Sequence, residues 1–171
     1  MTTAAIPVEE LVLREIRRRL EAIDCTLDPG KWRTRVDSVT RGWVPFVDRY
    51  DGTNLALLAT ACSPWTERSK DGILAGGVPG KGLQERVLEI AVEAYVSAET
   101  LSDEGALAIS ADIETALLEE PTLGGLAQKT RWARTTRMPT AAVDGKVFGS
   151  LRTEFQVMFR TQFAAPGTRV A

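Results

Sequence analysis

Two kinds of hydrophobic spacing divide this sequence, and together they predict an α+β fold. Apolar residues recur every three or four positions over 8–24 and again over 102–121, the periodicity of a helix with one buried stripe. Over 84–99 and 151–163 they alternate with polar residues, the periodicity of a strand. A chain of 171 residues suits one domain spanning 1–171, long enough to bury roughly 70% of its unfolded surface.

The first helix carries Val8, Leu11, Val12, Ile16, Leu20 and Ile23 on one stripe. Pro7 precedes it, Glu9 and Glu10 fall in its first turn, and Arg17, Arg18 and Arg19 come later, an order that complements the helix dipole. An arginine run of this kind usually marks a solvated helix face and only occasionally a nucleic-acid patch. Asp28, Pro29 and Gly30 then break the chain.

Residues 32–39 alternate moderately and predict a short strand. Residues 42–47 are apolar, but Pro45 restricts them to an edge or an extended segment. Residues 55–61 read as a strand or extended segment. Residues 63–82 form a long irregular loop carrying Pro64, Gly72, Gly76, Gly77, Pro79, Gly80 and Gly82. Its apolar members Trp65, Ile73, Leu74 and Val78 suit docking on a neighbouring subunit, or equally packing on their own domain. With Arg68, Lys70 and Lys81, the residues Trp65, Ile73 and Leu74 make the candidate contact set.

Residues 84–99 could be helix or strand. As a helix they would be apolar almost all round. As a strand, Leu88, Ile90, Val92, Ala94, Val96 and Ala98 share one face, so the strand reading fits better. The opposite face then holds Glu85, Glu89, Glu93 and Glu99, interrupted by Val87, Ala91 and Tyr95, and is expected to look acidic towards solvent or a channel. Ser102 is placed to cap the second helix, with Asp103 and Glu104 in its first turn. Pro121 ends that helix, and Gly124 and Gly125 permit a tight return. Residues 130–136 form a polar strand with at most one buried tryptophan. Asp144 and Gly145 mark a hairpin turn before the strand 151–163, and 164–171 reads as a short tail.

Composition narrows the chemistry. There is no histidine, which removes the commonest general acid/base, the usual partner of a Ser or Cys nucleophile and the commonest metal ligand. Two distant cysteines, Cys25 and Cys62, do not make a zinc site, and they read as buried or half-buried thiols. The stretch 75–82 has the spacing of a phosphate loop, yet Gly82 stands where the Mg2+-binding hydroxyl belongs, so it reads as a decoy. The sequence therefore predicts a non-enzyme with no catalytic, cofactor-binding or metal-ligating residues. A balance of 21 Lys+Arg against 23 Asp+Glu argues against a dedicated nucleic-acid binder. No window approaches the ~20 apolar residues needed to span a bilayer, and the N-terminus lacks the pattern of a secretion signal.

The order of elements in the second half, with PTLGGLA at 121–127 as the helix-to-strand corner and FQVMFRTQF at 155–163 as the last strand, resembles the tail terminator (tail completion) proteins of long-tailed bacteriophages. The likeness covers the last half well and the first helix loosely. Residues 43–82 and the extended stretch 127–150 depart from it. It implies an antiparallel or mixed sheet of about four strands with both helices packed on one face. It also implies a virion protein, made in the host cytoplasm, that closes into a ring, usually of six, at the head-proximal end of the tail. Such a ring caps the tube, ends its polymerisation and offers a surface to the head connector. The implied partners are other copies of the chain, the tail tube protein and a connector or stopper protein. DNA would pass through the lumen without sequence-specific binding, and Glu85, Glu89 and Glu93 would be channel-facing. A related head–tail connector or other tail-assembly subunit is the alternative. A small nucleotide-binding enzyme using 75–82 is a third reading, opposed by the missing histidine and the missing hydroxyl at 82.

Overall fold

The computed structural model describes residues 6–45, 47–65, 83–97, 102–143, 145–162 and 165–169. Helix α1 (Val8–Glu21) starts where the Pro7 carbonyl accepts the amides of Glu10 and Leu11. It buries Val8, Val12, Leu13, Ile16 and Leu20. Helix α2 (Asp103–Leu118) starts at Ser102, whose hydroxyl accepts the Gly105 amide at 3.0 Å, the capping bond expected from the sequence. It ends before Pro121, and the chain turns back through Leu123, Gly124 and Gly125, all at positive φ.

The strands are β1 (Ser38–Arg41), β2 (Thr53–Pro64), β3 (Leu83–Ser97), β4 (Lys129–Val143), β5 (Lys146–Gln162) and β6 (Ala165–Arg169). They form one mixed sheet in the order β1-β2-β3-β5-β4, with β6 paired to β5. β1 runs parallel to β2, and the other pairings are antiparallel. The fold is α+β, and residues 84–99 are indeed a strand. The hairpin predicted at Asp144 and Gly145 closes between Val143 and Lys146.

Both helices lie on one face of the sheet. Val12, Ile16 and Leu20 of α1 and Ile109, Ile113 and Leu117 of α2 share one core with Leu55, Leu57, Ile90, Val92, Phe155 and Val157. Fully burying each such side chain contributes about 1.5–3 kcal/mol, so this layer carries most of the cohesion. β3 reads as apolar on both faces because it is the central strand. Its odd positions Val87, Ala91 and Tyr95 are buried too. Near one end of the outer face, Val44, Ala56, Tyr95 and Phe148 make a second, smaller cluster with Tyr50 packed against it. The 3-10 turn Val47–Tyr50 brings Tyr50 there, its ring edge-on to Phe148 at 5.8 Å.

Three expectations are corrected. The strand expected over 32–39 begins only at Ser38. The preceding residues are held as an irregular loop by Asp112 of α2, which accepts the Arg33 and Thr34 amides at 3.0 and 2.7 Å and the Thr34 hydroxyl at 2.7 Å. The segment 164–171, expected as a tail, contributes β6 to the sheet edge of β5. Cys62, expected to be at least half-buried, is exposed on β2, while Cys25 is half-buried as expected.

Candidate functional site

The outer face of the sheet, away from the helices, is where the predicted glutamates converge. Alternation puts Glu85, Glu89 and Glu93 of β3 on this face, as the sequence implies. The face is not acidic. Register sets Arg160 of β5 opposite Glu85 and Arg152 opposite Glu93. Both arginines make ion pairs there, at 2.7 Å to Glu85 and 3.1 Å to Glu93. Glu93 is also only 6% exposed, which removes it as a channel-facing residue of the protomer. The Tyr95 hydroxyl donates to it at 2.8 Å, and burial, helped by this carboxylate, pushes the Tyr95 phenol up to about 12. One strand further, Arg134 of β4 stands opposite Glu154 and pairs with it at 2.7 Å, while Arg152 reaches the same carboxylate at 2.9 Å. The Arg134 guanidinium, and secondarily Arg152, hold Glu154 below the usual carboxylate range.

One row across this lattice is left open. Glu89 faces Ala61 of β2 on one side and Gln156 of β5 on the other, and Gln156 faces Arg131 of β4. Glu89 and Arg131 are both exposed, and neither side chain has an ion pair among the described residues.

The two sides of the sheet differ in character. β1 covers β2 only as far as Leu57, so residues 58–64 have no neighbour on that side among the described residues. This half of β2 (Leu58, Ala59, Thr60, Ala61, Cys62, Ser63, Pro64) has no charged residue, and from Ala59 on it is exposed. On the opposite side β4 pairs, among the described residues, only with β5. It carries Lys129, Arg131, Arg134 and Arg137, with no acidic residue anywhere in the strand. Both sides carry irregularities: a register shift at Thr60 in β2, and shifts after Trp132 and Met138 in β4.

Of the predicted contact set, Trp65 is described and is 42% exposed, just beyond the uncovered half of β2. Arg68, Lys70, Ile73, Leu74 and Lys81 lie outside the described residues, as does the decoy phosphate loop. Residues 130–136 form the predicted polar strand, and Trp132 is 48% exposed on it, within the expectation of at most one buried tryptophan. Sequence reading passed over Arg131 and Trp132. The available signal was a run of three arginines spaced three apart (Arg131, Arg134, Arg137) in a strand without acids. Among the described residues no group of Cys, Asp and Glu is placed to hold a metal ion, and no helix is long and apolar enough to cross a membrane.

No protein-family model matches this chain, and no curated protein sequence is significantly similar to it.

Proposed function

We propose that this chain is a structural subunit of a phage tail, a terminator that closes with copies of itself into a ring on the head-proximal end of the tail tube. The observation that carries the reading is the sheet with two unlike sides, one uncharged and one basic, that have no neighbouring strand among the described residues. A surface that is not self-complementary favours head-to-tail association, and such contacts close into rings when the rotation per subunit divides a full turn. The likeness of the corner 121–127 and the strand 155–163 to tail terminators supplies the rest. Function on this reading is geometric: the ring occupies the growing end of a tube and leaves no site for the next tube subunit.

The test is direct imaging and weighing. Negative-stain images and mass photometry of the purified protein should show closed rings of one size. Mixed with the tail tube protein of the same virus, the protein should bind tube ends and stop their growth. Tubes that elongate unchanged in its presence would defeat the reading.

A further inference from the structure

The basic side of the sheet carries a recognition edge. Independently of the ring reading, we infer that β4 takes an extended acidic segment of a partner protein as an added antiparallel strand, its carboxylates on Lys129 and Arg131 and its other face against Trp132.

Exposure marks the edge. Residues 131–138 are all exposed, side chains of both faces alike, and among the described residues β4 pairs only with β5. Antiparallel strands commonly bury one face. This stretch buries neither.

Main-chain phase suits an added strand. The Trp65 amide donates to the Glu85 carbonyl, so Glu85, Val87 and Glu89 bond towards β2, while Arg86 and Leu88 bond towards β5. Phe159 and Val157 lie opposite Arg86 and Leu88, which leaves Met158 and Gln156 turned towards β4. Lys129 and Arg131 lie opposite those two and bond inward, so Thr130 and Trp132 present their amides and carbonyls outward. A strand added there bonds to Thr130 and Trp132 and meets Lys129 and Arg131 at positions without main-chain bonds. Those are the positions where side chains of an antiparallel pair approach most closely. In strand addition the main chain supplies affinity and the alternate side chains supply specificity. On the other side of the sheet the same count turns the nitrogen of Pro64 outward, and 58–64 offers no charge by which to choose a partner.

Charge selects the occupant. Lys129 and Arg131 share the outer face two residues apart, about 7 Å, and neither has an ion pair among the described residues. Alternate residues of a strand have that same spacing, so carboxylates at every second position reach both. Glu89, unpaired on the same face, stands two strands away, about 10 Å. A second copy of β4 would set cation against cation and is repelled. Nucleic acid fits less well, because Glu154 beside Arg134 and Asp103 beside Arg137 would face its phosphates. The helix side adds an anchor. The Trp132 indole N–H donates to the Thr135 hydroxyl at 3.1 Å, which fixes the ring along the edge while the residue stays 48% exposed.

The probe is a nine-residue peptide alternating glutamate with threonine or valine, blocked at both ends. Titrated into the full chain and followed by calorimetry, it should bind and slow hydrogen exchange at the Thr130 and Trp132 amides. Lys129→Glu combined with Arg131→Glu should weaken binding at least about tenfold, and a peptide with lysine in place of glutamate should then bind the double variant. Methylating alternate peptide nitrogens removes main-chain donors but keeps the charge, and should abolish binding. A methylated peptide that binds equally well, or a DNA duplex that binds where the peptide does not, would overturn the inference. Closed rings that ignore the peptide would overturn it too and leave the ring reading standing. Peptide bound by a chain that never forms rings, alone or with the tube protein, would uphold it and defeat the ring reading.

Discussion

At the scale of single residues, Asp112 is the side chain on which the loop between α1 and β1 depends. It is 3% exposed, and one of its oxygens accepts two amides and a hydroxyl from Arg33 and Thr34. Asp112→Ala leaves two main-chain donors without their acceptor, an expected loss of about 3 kcal/mol in urea unfolding. Glycine matters most at residue 52. Gly52 sits at φ +69°, and a Cβ there would lie 2.0 Å from the Asp37 carboxylate, which accepts the Thr53 amide at 2.8 Å. Gly145 shares the torsion, at φ +75°, but a Cβ there meets nothing within 4 Å. Gly145→Ala should therefore cost about 1 kcal/mol and Gly52→Ala clearly more, about 2–3 kcal/mol, both read from chemical denaturation. Equal losses would show that crowding at Asp37 contributes nothing.

At the scale of elements, α1 is tied to the end of α2 by charge. Glu15 accepts Arg18 at 2.6 Å and Arg19 at 2.8 Å, and Arg19 reaches on to Glu120 beyond α2. These contacts, the Arg18 hydrogen bond first, lower the Glu15 carboxyl to about 2. Glu120 is likewise lowered to about 2, first by the Thr122 hydroxyl, then by the Gly124 amide and Arg19. Both folded values lie below the ordinary glutamate value of about 4.3, so their stabilisation is complete above it and is lost as pH falls towards about 2. Thermal unfolding should drop between about pH 5 and pH 2.5, and Glu15→Gln should be less stable at the upper pH and lose less on acidification. An unchanged pH slope in that variant would remove Glu15 from the account. Both helices and the strands β3 and β5 were legible in the sequence because their periodicities are local, and α2 was legible down to its Ser102 cap. β2, by contrast, lacks alternation and read as strand or extended segment, and β4 was read over 130–136 alone. β1 was misplaced because its start depends on Asp112, a contact 78 or 79 residues away. β6 was missed because Pro166 and Gly167 read as a tail, whereas the strand follows from pairing with β5. For the candidate site, parity alone put the glutamates on one face. The neutralisation of Glu85 and Glu93 required the register with β5, and the sides without a neighbour among the described residues required the strand order, neither of which a single sequence displays.

At the scale of the whole molecule, the described sheet has to invite one neighbour without inviting any. Pro64 and the register shifts in β2 and β4 limit how far a foreign strand could pair along either side. Pro64→Val restores an outward amide on the uncovered half of β2. Static light scattering should then report larger, open-ended particles, and a particle size equal to the parent's would show that the proline does not act as a limit. The extent of that half is itself decided at Gly42. Its amide makes the last bond to β2, at the Leu57 carbonyl, and its φ of +93° then swings the chain away towards the outer face, where Val44 and Tyr50 settle on Tyr95 and Phe148. A single torsion thus sets the frontier between the flank a protomer shields for itself and the flank it leaves for a companion. Lengthening the first strand by a few inserted residues ahead of Gly42 would shut that berth with the chain's own backbone, and the expected outcome is a molecule that folds but stays solitary.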